Sequence, residues 1–257
     1  MTIKLLQLNI NSDNYWDRLI PFLTINDFDI LHLQELTGEA TISGNINSQR
    51  NCYKELQKIL SPKYKSELAI SHRFSSSLTS YMANATFYKS AFTLKEKNIL
   101  TLHGRNEPFP SELNTFESAG RNVLHLTLSL EGKQLACLNA HLAWAKTPKE
   151  EPHQTGQGEI LVRYLQTVNH PFILTGDFNL DPQQPTIQKL NKLARNLIEE
   201  NHVTNTLNPR THRAKNLFPQ GVAVDYIFTS SELQVKSFAV VEEDISDHLG
   251  LKTEIEI

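Results

Sequence analysis

Short apolar runs separated by polar and turn-forming residues recur along the chain, the pattern of buried β-strands. They fall at Ile3–Leu8, Ile30–Leu33, Ser66–Ile70, Ala85–Tyr88, Val123–Leu130, Leu135–Asn139, Phe172–Thr175, Val222–Thr229, Val235–Val241 and Leu249–Ile257. Val123–Leu130, followed by Glu131-Gly132-Lys133 and Gln134–Leu138, predicts a β-hairpin with a glycine turn. Helical spacing intervenes at Tyr15–Leu23, Cys52–Leu60, Gly158–Val168 and Thr186–Glu199. In the last of these Ile187, Leu190, Leu193, Leu197 and Ile198 form an apolar stripe that reads as core. Strands with helices between many of them, and hairpins elsewhere, predict an α/β fold with helices outside mixed sheets.

No repeat and no Gly/Ser- or Pro-rich linker divides the sequence, so one domain over residues 1–257 is expected. Polar stretches at Thr37–Gln49, Leu102–Gly120, Lys146–Gln157 and Asn205–Gly221 are long for loops and are expected to frame one cleft.

The net charge of −3 argues against an indiscriminate grip on nucleic acid, which needs a basic footprint, without excluding a nucleic-acid substrate. Two cysteines, Cys52 and Cys137, cannot build a disulfide framework or a cysteine-based zinc site, and they suit a reducing compartment. No apolar run approaches the roughly 20 residues needed to cross a bilayer. The first residues lack the apolar core and cleavage site of a signal peptide. A cytoplasmic protein with no membrane anchor and no obligate protein partner is expected.

The chemistry concentrates at strand ends. The run Phe172-Ile-Leu-Thr-Gly-Asp177-Phe-Asn179-Leu-Asp181-Pro182 ends a strand on a carboxylate and an amide two residues apart. They share a face if the extended geometry persists; otherwise the segment is a strand followed by an Asx-type turn. The first strand presents Asn9, the second stops on Glu35, and a mid-chain strand ends on Asn139-Ala-His141. Asp225 stands at the entrance of an apolar strand, and Asp247-His248 precede the last. Each alone has a plain structural reading as a cap, a turn or a rim residue. Together the Asn, Glu and Asp side chains are hard oxygen donors suited to Mg²⁺, Mn²⁺ or Ca²⁺. Glu35 and Asp247 match the one or two carboxylates Mg²⁺ takes, with Asn9 a neutral neighbour. The histidines and the Asp177/Asn179 pair then supply proton transfer and water positioning. The remaining histidines, His32, His72 and His212 among them, have no such context and read as structural or solvated.

In their order the motifs Leu8-Asn9, Leu33-Gln34-Glu35, Asn139-Ala-His141-Leu142, Gly176-Asp177-Phe178-Asn179, Val224-Asp225-Tyr226 and Ser246-Asp247-His248 resemble the endonuclease/exonuclease/phosphatase superfamily of DNase I-like phosphohydrolases. The resemblance implies a four-layer α/β/β/α sandwich, two packed mixed sheets flanked by helices, with the active site on loops at one rim. It makes Glu35 the principal carboxylate for Mg²⁺, with Mn²⁺ as a substitute, and puts Asn9 and Asp247 close to the ion. Asp177 would orient or deprotonate the attacking water and Asn179 fix its geometry. His248 would contact the scissile phosphate with Asp225 holding its ring, and His141 would give a hydrogen bond or proton to a phosphate oxygen. Ala119-Gly120-Arg121-Asn122-Val123-Leu124 is similar to the branch containing the 5′-tyrosyl-DNA phosphodiesterase, which makes Arg121 a candidate phosphate clamp, the alternative being a surface arginine at a hairpin entrance. The chain departs from that branch at Leu142-Ala-Trp144-Ala-Lys146, where an acidic Leu-Glu-Ser is usual.

Trp144 beside His141 offers a stacking face for a base, or packs under its own loop. Arg210–Lys215 is a local basic cluster that meets a phosphate-rich ligand or is simply solvated. The leading expectation is a metal-dependent phosphodiesterase or nuclease. Hydrolysis of a small phosphoester (nucleotide, inositol phosphate or lipid headgroup) is the first alternative. A non-catalytic binding module on the same fold is the second.

Overall fold

The computed structural model describes residues 1–39, 41–43, 46–74, 79–104, 108–109, 119–146, 149–213, 216 and 218–257. Its elements begin with β1 (Thr2–Asn9), α1 (Trp16–Ile25), β2 (Ile30–Thr37), β3 (Thr41–Ser43), β4 (Ile46–Ser48), α2 (Cys52–Leu60), β5 (Tyr64–Phe74) and β6 (Tyr81–Lys89). Next come β7 (Thr93–His103), β8 (Pro108–Phe109), β9 (Arg121–Leu130), β10 (Lys133–His141), α3 (Pro152–Leu165), β11 (Phe172–Asp177) and α4 (Pro185–Asn191). Then follow β12 (Arg195–Asn196), α5 (Leu197–Glu200), β13 (Asp225–Thr229), β14 (Gln234–Val241) and β15 (Gly250–Glu256).

The strands form a seven-stranded sheet, β14-β15-β1-β2-β6-β5-β8, and a six-stranded sheet, β12-β13-β11-β10-β9-β7. Both are mixed: β1 runs parallel to β2 and β10 parallel to β11, while most other pairs are antiparallel. These two parallel pairs face each other across the sandwich. Side-chain alternation makes the layers. On β1, Ile3 and Leu5 join the core shared with the other sheet, whereas Leu6 and Leu8 join a cluster with Leu19 and Leu23 of α1 and Leu56 and Leu60 of α2. Leu161 and Leu165 of α3 and Ile187 and Leu190 of α4 pack in the core cluster of the six-stranded sheet. The four-layer sandwich is the one expected.

The predicted hairpin is β9–β10, with Leu130 paired to Lys133 and both Glu131 (φ 52°) and Gly132 (φ 82°) left-handed. Two left-handed residues define the turn whose twist matches that of the flanking strands.

Three expectations need correction. Strand β7 has no counterpart among the predicted runs, because it is an edge strand with mostly exposed side chains. Helix α3 starts at Pro152, not Gly158, so half of the expected loop at Lys146–Gln157 is helical. Glu151 and Gln154 form a capping box there, with proline in the first turn. The single helix expected over Thr186–Glu199 is two. It breaks after Asn191, Arg195–Asn196 pair with β13, and the Asn196 side chain accepts from Ile198 N (3.1 Å) to start α5.

Candidate active site

Strand β2 does not stop at Glu35. Leu33 pairs with Ala85 and Leu36 with Ala83, so Gln34 and Glu35 together oppose Asn84. This β-bulge keeps Leu33 and Leu36 in the helix-facing core and turns Glu35, at φ 58°, away from it. A non-glycine residue held in that region costs about 1–3 kcal/mol, and such strain gathers at functional sites.

Register brings the remaining residues together. His141 on β10 pairs with Asp177 on β11, and Asp177 with Asp225 on β13, so the three stand in a row across one sheet. Asn9, from the facing sheet, donates Nδ2 to Asp177 Oδ2 (3.0 Å). His141 Nε2 lies 3.7 Å from the same oxygen and 3.9 Å from Glu35 Oε1. His248 Nε2 lies 3.8 Å from it as well, while His248 Nδ1 is 2.9 Å from Asp225 Oδ2. The Ser246 hydroxyl bonds Asn9 O (2.6 Å), tying the loop that carries Asp247 and His248 to the end of β1.

Beyond Asp177 the extended geometry does not persist. Asn179 adopts φ 54° and its backbone N–H donates to Asp177 Oδ1 (3.0 Å), the Asx turn. Its Nδ2 donates to Leu142 O (3.1 Å), linking the loops after β10 and β11. Gln154 and Gln157 of α3, both buried, clamp the same region: Gln157 Oε1 accepts from Ala143 N (2.9 Å) and Gln154 Nε2 donates to Ala143 O (2.7 Å).

Burial pushes the Glu35 carboxyl up, and the Asp247 charge adds to it. Burial raises Asp177 to about 7 against the pull of His248. For His248, burial alone would depress the imidazole, but the Asp225 and Asp177 carboxylates together raise it well above its ordinary value. Burial, then the Arg121 charge, hold His141 well below the ordinary value, so it is a neutral imidazole. Carboxylates gathered in this way oppose one another's charge, which a bound cation would relieve. Three triads among the described residues, Glu35–His141–Asp177, Asp177–Asp225–His248 and His212–Asp247–His248, each place one ligand atom per residue within 4.8 Å of the others. Asn9 Oδ1, the atom a metal would use, also accepts from Asn11 N (3.0 Å) and retains a second lone pair. The oxygen donors fit a hard divalent cation.

Arg121, at the start of β9, is only 4 % exposed, and its charge interacts with Glu35 and Asp177. Its Nε and Nη1 have no hydrogen-bond partner among the described residues. Trp144 is 46 % exposed on the loop after β10. Of the basic cluster, Arg210 pairs with Asp244 (2.6 Å) and bonds Glu242 O, and Lys215 lies outside the described residues. Most of the stretch Leu102–Gly120 also lies outside them.

Two groups went unread in the sequence. The His212 ring packs edge-on against His248, 5.5 Å between centroids, on a loop pinned by buried Asn208 to Asp247 O and Ser246 O. Gln7, Gln34 and Asn139 are fully buried between the sheets behind the site. Gln34 and Asn139 stand within the motifs quoted above without a role of their own, and only the meeting of the two sheets shows that the three amides join.

No curated protein matches the chain in sequence. Solved structures do match in fold. The mannosyl-6-phosphatase of Bacteroides thetaiotaomicron superimposes with a TM-score of 0.72 at 18 % identity, over 99 % of this chain and 100 % of that one. The human nocturnin catalytic domain with bound sulfate gives 0.71 at 19 %, over 99 % and 93 %. A humanized D. rerio TDP2 gives 0.69 at 17 %, over 100 % and 99 %. A family model described as endonuclease/exonuclease/phosphatase matches residues 6–248. With that match spanning every strand end that carries the site, the chain belongs to the endonuclease/exonuclease/phosphatase family of phosphoester hydrolases.

Proposed function

We propose that the protein hydrolyses phosphodiesters in a reaction dependent on Mg²⁺, with Mn²⁺ able to substitute. The observation that carries this reading is the convergence on Asp177 Oδ2 of Asn9 Nδ2 at 3.0 Å, His141 Nε2 at 3.7 Å and His248 Nε2 at 3.8 Å. The two imidazoles stand beyond direct hydrogen-bond length, spaced to share a small polar ligand with the carboxylate. Glu35, Asn9 and Asp247 would hold the cation, which supplies Lewis-acid charge neutralisation at the phosphoryl group.

Asp177 orients the attacking water and accepts its proton, and the Asx turn to Asn179 fixes the carboxylate plane. His248, an imidazolium held by Asp225, meets the charge that develops on the phosphoryl oxygens. Neutral His141 serves as an N–H donor rather than a proton source. The buried guanidinium of Arg121, with donors unpartnered among the described residues, clamps a phosphate oxygen. Trp144 stacks on an aromatic group of the substrate. Positioning and charge neutralisation, the main demands of phosphoryl transfer, are thereby supplied.

A second reading, hydrolysis of a small phosphomonoester, is favoured by the depth of the reacting groups (Asp177 and His141 are each 2 % exposed) and by the net charge of −3. One panel separates the two. Purified protein is assayed with Mg²⁺, Mn²⁺ or EDTA against plasmid, single-stranded and 5′-tyrosyl oligonucleotides, bis-p-nitrophenyl phosphate and p-nitrophenyl phosphate. Metal-dependent diester turnover, lost in Glu35→Ala and His248→Ala, supports the first reading. Turnover of monoesters alone supports the second, and turnover of nothing in the panel overturns both.

A further inference from the structure

The buried amides behind the site form a chain with one possible polarity. Asn139 Nδ2 donates to the backbone carbonyls Leu33 O (3.1 Å) and Ala85 O (2.9 Å), which can only accept. Asn139 Oδ1 must therefore be the atom facing Gln34, and it accepts from Gln34 Nε2 at 2.7 Å. That orientation turns Gln34 Oε1 toward Gln7, whose Nε2 donates to it at 3.0 Å. The same Gln7 nitrogen donates to Asp225 Oδ1, also at 3.0 Å. Asp225 Oδ2 in turn lies 2.9 Å from His248 Nδ1. Two backbone carbonyls thus dictate, through one side-chain amide on the six-stranded sheet and two on the seven-stranded sheet, that a donor points at Asp225.

We propose that Gln7, oriented by Gln34 and Asn139, is a positioning residue that holds Asp225 as a pure acceptor. The Nδ1–H of His248 is thereby kept on Asp225, and the Nε2–H of the imidazolium is directed at the substrate. A detail of Gln7 supports this role. Its Oε1 is buried without a partner among the described residues. Rotating the amide would not help, because it would set that oxygen against Gln34 Oε1 and Asp225 Oδ1, two acceptors. The molecule tolerates one orphaned acceptor to keep the donor aimed at Asp225. All members (Gln7, Gln34, Asn139 and Asp225) have no exposed surface, so water does not compete for these bonds.

The test uses Gln7→Met, which keeps length and volume without the donor, and Gln7→Glu, which keeps the shape but sets an acceptor against Asp225. For Gln7→Met, kcat is expected to fall about 10- to 100-fold, the range for a lost hydrogen bond to a charged group, with KM changed less than about twofold. Gln7→Glu should lose at least as much despite being isosteric, an order that a packing role does not give. In an Asp225→Ala background, Gln7→Met should add no further loss. Only this kinetic arm rests on the proposed phosphoester chemistry. Independently, the His248 ring nitrogen and Nδ1–H resonances should shift in both single variants. If Gln7→Met does not fold, Gln34→Met, one bond further from Asp225, gives the same readouts. Unchanged His248 resonances in a folded variant, or a full additive loss in the Asp225→Ala background, overturns the proposal. An inactive wild type with shifted resonances instead overturns the functional reading and leaves the relay standing.

Discussion

Replacing Gly176 by alanine tests whether backbone packing, as well as side-chain chemistry, places Asp177. Gly176 pairs with Ala140 of β10 at φ 153°, a region open essentially to glycine alone. A Cβ there would lie 1.9 Å from Ala140 O and 2.7 Å from Ala140 C, both backbone atoms of the neighbouring strand. No rotamer relieves such a contact, so β10 and β11 must separate one residue before both His141 and Asp177. Backbone strain of about 1–3 kcal/mol and overpacking of about 1–3 kcal/mol add to roughly 2–6 kcal/mol. At about 2–4 °C per kcal/mol for a chain of this size, the midpoint of thermal unfolding should fall by roughly 4–24 °C. Gly156→Ala is the control of opposite sign. Gly156 is exposed within α3 and its Cβ would meet nothing within 4 Å. Alanine there should stabilise by about 1 kcal/mol through helix propensity. Denaturant or thermal unfolding of both variants decides it. A Gly176→Ala loss below about 1 kcal/mol, or a destabilised Gly156→Ala, would refute the packing argument.

On the proposed function Mg²⁺ should raise the Tm of the wild type, and Glu35→Gln should abolish that rise. It should be no less stable in EDTA, because burial and Asp247 already oppose the charge on Glu35; calorimetry with and without metal reads both. His32 is fully buried and held at about 3 by burial, against 6.5 in the unfolded chain. The unfolded state takes up the proton first, so this stability is complete above pH 6.5 and declines as the pH falls toward 3. His32→Leu should therefore lose about 2 kcal/mol less than wild type between about pH 7.5 and about pH 5 in urea denaturation; equal slopes would contradict it. Asn208→Ala removes bonds to Ser246 O (3.1 Å) and Asp244 Oδ1 (2.9 Å). It should cost about 1–3 kcal/mol of stability and weaken Mg²⁺ binding by loosening Asp247, as read by unfolding and by metal titration. Trp144→Ala should raise KM for oligonucleotides with kcat unchanged, and an effect confined to kcat would exclude stacking.

The polar residues that converge at this rim were readable from the sequence because each stands where an apolar run begins or stops. Asn9, His141, Asp177, Asp225 and the Asp247–His248 pair all announced themselves in this way. Glu35 was found for a different reason than the one at work. It looked like the first residue beyond a strand, yet β2 continues to Thr37 and a bulge re-aims the carboxylate. A bulge is a property of pairing with β6 and leaves no mark on β2 alone. Gln7, Gln34 and Asn139 were hidden because an amide on an inward face has the same local pattern as one facing water. Only the partner sheet distinguishes them. Strand β7, polar and at an edge, lacks the apolar signal by which the others were found. The break at Asn191 was masked by buried apolar residues on both of its sides.

The position of β15 between β14 and β1 has a temporal consequence. The strand that follows Asp247 and His248 inserts beside β1, so the site draws on residues 9 to 248 and is complete only once His248 is present. A nascent or truncated chain that ends before His248 leaves β1 as an open edge and lacks the imidazole at Asp225. Hydrolytic capacity should thus be absent from partial chains, however well their first strands pair.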